Sequence, residues 1–252
     1  TQPPRHRSRE TIERLEPAVD TSLVRGGIEY SDYLLVDNDA RFVSELALQS
    51  TRHGAVIANR VEVMAATHAT DGWRIGLRDL AGGRDLEVTA AMVVNAGGPY
   101  VPDVGRLTGT TTEHRLVFSK GIHLVVPQIT DSGRILAFFD DHERLFYVLP
   151  MGERSVIGTT DTPVDDPAVS VTEEDKSFLL EQINARVDLP RPLCSDDVIG
   201  ERCGVRTLVV EPGEASEGRD WTELSRKHAV EVHRGLGVVS IMGGKLSDCL
   251  NV

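Results

Sequence analysis

Between Arg115 and Asp161 short apolar runs follow one another closely: Leu124-Val125-Val126, Ile135 to Phe139, Leu145 to Leu149 and Ser155 to Gly158. Runs of this length, bounded by turn-forming residues, read as antiparallel strands. The middle of the chain is thereby committed to a sheet. The flanks differ. Ser8 is placed to cap a short helix through Ile12 and Leu15, ended by Pro17. Asp37 or Asp39 is placed to cap a second helix with an apolar stripe of Val43, Leu46 and Ala47 and a stop at Gly54. Ala55 to Ile57, Val61 to Ala65, Trp73 to Leu77 and Leu86 to Val88 then read as strands, with Gly82-Gly83 turning between the last two. Met92-Val93-Val94 has the continuous apolar character of a strand buried on both faces. Thr172 with Glu174 and Asp175 begins a third helix through Phe178, Leu179 and Ile183. Gly204 to Val210 and Val238 to Met242 read as further strands, Gly243-Gly244 as the opening of a last helix, and Glu211 to Asp220 as loop. The expected class is α/β with α+β character, an α/β part coupled to a mostly antiparallel sheet. The expected boundaries are 1–114, 115–235 and a return to the first part over 236–252.

Charge and cysteine content narrow the function. With 39 acidic and 27 basic residues the net charge is −12, which argues against general nucleic-acid binding, since phosphate backbones need clustered cations. A local basic pocket still suits a small phosphate ligand. Cys194, Cys203 and Cys249 are odd in number and lack CxxC spacing, so neither a disulfide framework nor a metal site is expected, and a cytoplasmic setting fits. No apolar run has the roughly 18 residues of a spanning helix. Thr1 to Glu10 is polar and basic, unlike a signal peptide, and a start without Met is what a trimmed sequence would show.

Several polar and glycine-rich sites end apolar strands. Asn95-Ala96-Gly97-Gly98 allows close backbone approach to a flat or charged ligand, or is a simple turn. Gly204-Val205-Arg206 sets a guanidinium beside a glycine, a binding group or a surface Arg. Gly243-Gly244-Lys245 would present N–H groups to an anion or to a carbonyl gathering charge, or is a plain turn. In Lys120-Gly121-Ile122-His123 the imidazole shares a strand face with Val125, as a structural His also would. Gly158-Thr159-Thr160-Asp161 offers hydroxyls to a phosphate or to its own turn. Taken singly, each has a plain structural reading.

Their order is more informative. The succession GGIEYSDYLLVDNDAR, VVNAGGPYV, SKGIHLVVP, RLFYVLPMGERSVIGTTD, GVRTLV and SIMGGKLSD resembles the flavin-dependent glycerol-3-phosphate dehydrogenases from about Gly26 onward. SKGIHLVVP and the IGTTD block are the most specific; the Ala-Gly-Gly turn is shared with amine and amino-acid oxidases of similar fold. The resemblance implies an FAD-binding α/β domain coupled to an antiparallel substrate-binding sheet, as in the amino-acid-oxidase-like flavoenzymes. It implies FAD contacts at Val63, Ala96, Gly97 and Gly98, and at Gly244, Lys245 and Leu246 near the flavin pyrimidine. It further implies that Arg206, Arg219 and Lys245 bind the substrate phosphate and that Thr159 hydrogen-bonds the substrate. His123 would take the C2 hydroxyl proton, with Arg206 sharing the catalytic role by stabilising the alkoxide. sn-Glycerol 3-phosphate would become dihydroxyacetone phosphate, with electrons passed to a quinone or another acceptor. Homo-oligomer formation and a peripheral contact with the inner face of the cell membrane are compatible with the family.

The chain departs from the family pattern at Thr207, where Pro is common, and at Ser247-Asp248, where two threonines are frequent. It contains neither the GxGxxG unit that holds the FAD diphosphate nor the family's C-terminal helical domain. By itself it is expected to bind FAD weakly and to be inactive. An amine or amino-acid oxidase of the same fold, using Arg206 for a carboxylate, and a non-catalytic domain are the alternatives.

Overall fold

The computed structural model describes residues 3–22, 24–33, 35, 38–140, 144–213 and 227–252. In chain order the regular elements are β1 (Arg5–Ser8), α1 (Arg9–Leu15), β2 (Gly26–Glu29), α2 (Asp39–Arg52), β3 (Val61–Ala69), β4 (Gly72–Asp79), β5 (Asp85–Ala90), β6 (Val93–Asn95) and α3 (Val101–Thr108). There follow β7 (Arg115–Pro127), β8 (Leu136–Phe139), β9 (Leu145–Met151), β10 (Arg154–Gly158), β11 (Thr162–Val164), α4 (Glu173–Asn184), β12 (Gly200–Val210), β13 (His228–His233) and β14 (Val238–Gly243). No helix among the described residues is long and apolar enough to cross a membrane. The chain divides into two compact units, one of Thr1–Tyr33 with Ser119–Val205, the other of Leu34–Phe118 with Arg206–Val252.

The first unit is built on β7. Its side chains alternate, and Ile122, Leu124 and Val126 on one face are fully buried. β10 and β9 continue the antiparallel sheet, adding Ile157 and Val148 to the same core. Helix α4 closes it with Leu179, Leu180 and Ile183. This helix begins where the sequence places it. Thr172 accepts the Asp175 N–H at 3.2 Å and Asp175 accepts the Thr172 N–H at 2.9 Å, a reciprocal cap. Asp175 also takes the Lys120 ammonium at 2.5 Å, which ties the helix start to β7. Burial pushes the Asp175 carboxyl up, but the Lys120 ammonium and the Thr172 N–H outweigh it and leave its pKa lowered. α1 is likewise capped by Ser8, as expected, and β1 pairs with β2.

The second unit has two small sheets. β3, β4 and β5 form an antiparallel meander, with Asp79 accepting N–H groups in the Gly82-Gly83 turn. In the other sheet β14 lies between antiparallel β13 and parallel β6. Trp73, Ile75 and Val238 form one core, and the Trp73 indole donates to the Leu236 carbonyl at 2.8 Å. Val101, Val209 and Met242 form another.

Four expectations need correction here. α2 is capped by Asn38, whose amide oxygen accepts from Ala40 and Arg41; Asp39 is already the first helical residue, and Asp37 lies outside the described residues. The stripe on α2 is not buried, since Val43 and Leu46 are exposed and no residue of the helix is buried. Residues 55–57 form no strand, Val56 is 96% exposed, and no strand among the described residues pairs with them. β6 is not covered on both faces. Met92 and Val94 are exposed, so an apolar run here marks an open wall rather than a filled core.

Candidate functional site

In the second unit the turn after β6 is shaped by Asn95. Its buried side chain donates to the Val101 carbonyl at 2.9 Å and accepts from the Gly97 N–H at 3.3 Å. The asparagine thus spans the turn and fixes the start of α3. A side chain at Gly97 would crowd this brace, at 3.3 Å from Asn95 Oδ1, whereas Gly98, at φ +57°, opens on empty space. Beside the turn lies an apolar depression of about 310 Å³. Val63, Ala66, Met92, Val94, Ala96 and Gly97 are among its walls. Three of the expected cofactor residues, Val63, Ala96 and Gly97, therefore share one concavity. Its shape and polarity suit a flat ring that meets mainly apolar surface and a few backbone groups.

Gly243 ends β14 at φ +64°, and Gly244 follows it at φ +87°. A Cβ on Gly243 would stand 2.6 Å from Val209 Cγ2 and 3.0 Å from the Lys227 carbonyl oxygen. Both conformation and space therefore require glycine at this position. The expected last helix is a single 3-10 turn, Leu246–Asp248, so a helix-dipole argument does not apply to it. The turn is held from the side, where His228 Nδ1 meets Asp248 Oδ2 at 2.5 Å. Asn251, then His228, lowers the Asp248 pKa by hydrogen bonding. Lys245 is exposed and Leu246 half-buried; neither lines the depression beside Ala96. Arg206 is half-buried on β12. Arg219 lies outside the described residues.

In the first unit the two most specific sequence blocks become neighbours. His123 on β7 stands directly opposite Gly158 on β10. A Cβ on Gly158 would lie 2.7 Å from His123 Cδ2 and 2.7 Å from the Ile122 carbonyl oxygen. The imidazole thus lies against the bare glycine backbone, and Thr159 follows directly. Thr159 Oγ1 donates to the Thr160 carbonyl at 3.0 Å. Thr160 Oγ1 accepts the Ile122 N–H at 3.1 Å, and Ser119 donates to the Asp161 carboxylate. Sequence reading offered the Thr160 hydroxyl to a phosphate or to its own turn rather than to β7, and missed Asn95, Ser119 and Asp161 as supports. Asn95 alone left a signal, a short amide side chain at the end of an apolar strand before glycines.

One further cluster belongs to the second unit. His114 Nδ1 meets Glu231 at 2.6 Å and Nε2 meets Glu211 at 3.2 Å. Glu231 also accepts the Glu113 and His114 N–H groups. Hydrogen bonding to Glu231 raises the His114 pKa against the opposing effect of burial. A raised folded pKa adds stability that is fully present below the ordinary imidazole value, about 6.5, and is lost as pH rises through the folded value. Urea midpoints should therefore fall as pH rises above the ordinary imidazole value, about 6.5, and His114→Gln should flatten that part of the profile. An unchanged slope in the variant would remove His114 as its source.

The FAD dependent oxidoreductase family model matches residues 2–247. Glycerol-3-phosphate dehydrogenase 2 of Mycobacterium bovis is 33% identical over 244 residues, covering 96% of this chain and 40% of the relative. Aerobic glycerol-3-phosphate dehydrogenase of Staphylococcus haemolyticus is 30% identical over 239 residues, covering 92% and 41%. The chain thus spans about two-fifths of the length of these curated relatives. Among solved structures, the glycerol-3-phosphate dehydrogenase of Bacillus halodurans complexed with FAD superposes with a TM-score of 0.78 at 26% identity, covering 96% of this chain and 46% of that one. Glycine oxidase of Geobacillus kaustophilus shares the fold, with a TM-score of 0.60 at 18% identity over 99% of this chain and 60% of that one. The mixed α/β architecture is that of the amino-acid-oxidase-like flavoenzymes, and the chain belongs to the FAD dependent oxidoreductase family.

Proposed function

We propose that this chain carries the substrate end and part of the cofactor end of an FAD-dependent glycerol-3-phosphate dehydrogenase. The observation that carries the reading is the seating of His123 against Gly158, with Thr159 adjoining. This joins the two blocks most characteristic of those enzymes, SKGIH and IGTTD, and the relatives' names agree.

The residues present fit FAD in part. The apolar depression beside Ala96 and Gly97, with open space at Gly98, suits a flat ring system approached by backbone. Val63, Ala96, Gly97 and Gly98 would hold one portion of the cofactor, and Gly244, Lys245 and Leu246 the pyrimidine edge, where the Lys245 charge favours developing negative charge. When bound, FAD supplies a hydride acceptor. In this reading Arg206, Arg219 and Lys245 grip the phosphate dianion, the guanidiniums with paired N–H groups. Thr159 hydrogen-bonds the substrate. A ring nitrogen of His123 takes the C2 hydroxyl proton as C2 loses its hydride, and Arg206 steadies the alkoxide. The product is dihydroxyacetone phosphate. Onward transfer of electrons to a quinone or another acceptor belongs to the same proposal, as do a cytoplasmic setting, a membrane-peripheral contact, homo-oligomer formation and the division into flavin-side and substrate-side parts.

No GxGxxG occurs among the 252 residues, so these residues do not themselves supply the diphosphate's usual seat. This chain by itself should bind FAD weakly and turn over no substrate. The substrate end is tested by calorimetric titration of the purified chain with sn-glycerol 3-phosphate and, separately, with glycine. Saturable binding of the phosphate ester, weakened by about tenfold or more in Arg206→Ala, is expected. Preferential binding of glycine would point to an amino-acid substrate instead.

A further inference from the structure

β10 and β11 both pair with β7, yet residues 159–161 between them belong to neither strand. Main-chain pairing with β10 reaches Gly158 opposite His123 and stops. Beyond that point side chains take over the work of the ladder. Thr160 Oγ1 accepts the buried Ile122 N–H at 3.1 Å, where a strand carbonyl would otherwise serve. One step further Ser119 donates to the Asp161 carboxylate, and Arg144 holds the Asp161 carbonyl at 2.8 Å. Thr160 is itself buried. Its hydroxyl holds the residue that directly precedes His123, and Gly158 lies under the imidazole.

From this geometry we infer that Thr160 is a positioning residue for His123: its hydroxyl fastens the strand break to β7, so that the Gly158–Thr159 backbone stays packed under the imidazole. The inference rests on the proposed function for its catalytic meaning, but its structural content stands by itself. Losing the acceptor would leave the Ile122 N–H buried without a partner, and the break would shift until water or another oxygen satisfied it. Gly158 would move with it, and so would the imidazole ring. Valine keeps the shape of threonine without the hydroxyl. Serine keeps the hydroxyl and drops only a methyl group.

Nuclear magnetic resonance on the whole ligand-free chain tests this directly. In the wild type the Ile122 amide should be strongly protected from hydrogen exchange. Thr160→Val should cut that protection by roughly tenfold, and should move both the His123 ring resonances and their titration midpoint; Thr160→Ser should restore all three. A folded Thr160→Val chain with unchanged Ile122 protection and unchanged His123 titration would overturn the inference. So would an unprotected Ile122 amide in the wild type, a result that requires no variant to fold. Titration with sn-glycerol 3-phosphate separates the two layers. If the wild type binds it, Thr160→Val should weaken binding by roughly two- to tenfold, with rescue by serine. If the wild type does not bind it, the functional reading fails while the resonance data still decide the role of Thr160.

Discussion

His123→Asn is expected to lower the rate of glycerol 3-phosphate oxidation by about 10²- to 10⁴-fold, the usual contribution of a positioned acid–base group. The measurement calls for a polypeptide with a complete cofactor site. A suitable one is a chimera in which this chain replaces the matching stretch of the Bacillus halodurans enzyme, to which it is 26% identical. Asparagine preserves approximate size and hydrogen bonding but does not accept a proton near neutral pH. The loss should fall on kcat, with substrate affinity nearly unchanged, because the phosphate is gripped elsewhere in the proposed site. A variant that keeps wild-type kcat would remove His123 from the proton transfer and leave it a packing residue.

Gly158→Ala should be the most damaging small substitution in the first unit. The backbone there has φ +149°, which L side chains rarely adopt. The new methyl would also stand 2.7 Å from both His123 Cδ2 and the Ile122 carbonyl oxygen. The carbonyl belongs to the central strand and cannot give way cheaply. The cost should be about 2–4 kcal/mol, combining backbone strain with overpacking, and chemical denaturation reads it as a lowered midpoint. The His123 ring should shift as well, since it is the softer of the two obstacles. An unfolding free energy within about 0.5 kcal/mol of wild type would mean that the backbone relaxes freely, and that the close seat of the imidazole is not a constraint.

The parts legible in the sequence are those decided by neighbours in the chain. Thr172 and Asp175 are three residues apart and mark the start of α4 by a reciprocal hydrogen bond that needs no tertiary contact. The meander β3–β4–β5 follows from short runs joined by tight turns. The parts that failed depend on what packs against a segment. The stripe on α2 is amphipathic in sequence, but only packing buries a stripe, and no residue of α2 is buried. Met92 and Val94 look like core and instead line an open depression. β13 escaped notice because His228, Glu231 and His233 make it read as polar without its partner β14. α3 was missed because Pro102 and Gly105 disguise it; the proline sits in the first turn, where it is tolerated.

The site divides along the same line. The motifs named the candidate residues, but the hold of Thr160 on Ile122 joins positions 38 residues apart, and that of Ser119 on Asp161 spans 42. No local pattern encodes either pairing; both appear once β10 and β11 are set against β7. Asn95 differs, since it braces Gly97 and Val101, two and six residues away, and an asparagine before a glycine turn is a local signal.

The central claim is that this chain contributes the substrate end of an enzyme that oxidises a phosphorylated polyol. Its most direct test is the anaerobic visible spectrum of the chimera with bound FAD, recorded before and after sn-glycerol 3-phosphate and, in parallel, glycine. Bleaching of the flavin band by sn-glycerol 3-phosphate alone is the result the account predicts. Bleaching by glycine with no response to the phosphate ester would contradict it and assign the chain to the amino-acid oxidases of the same fold.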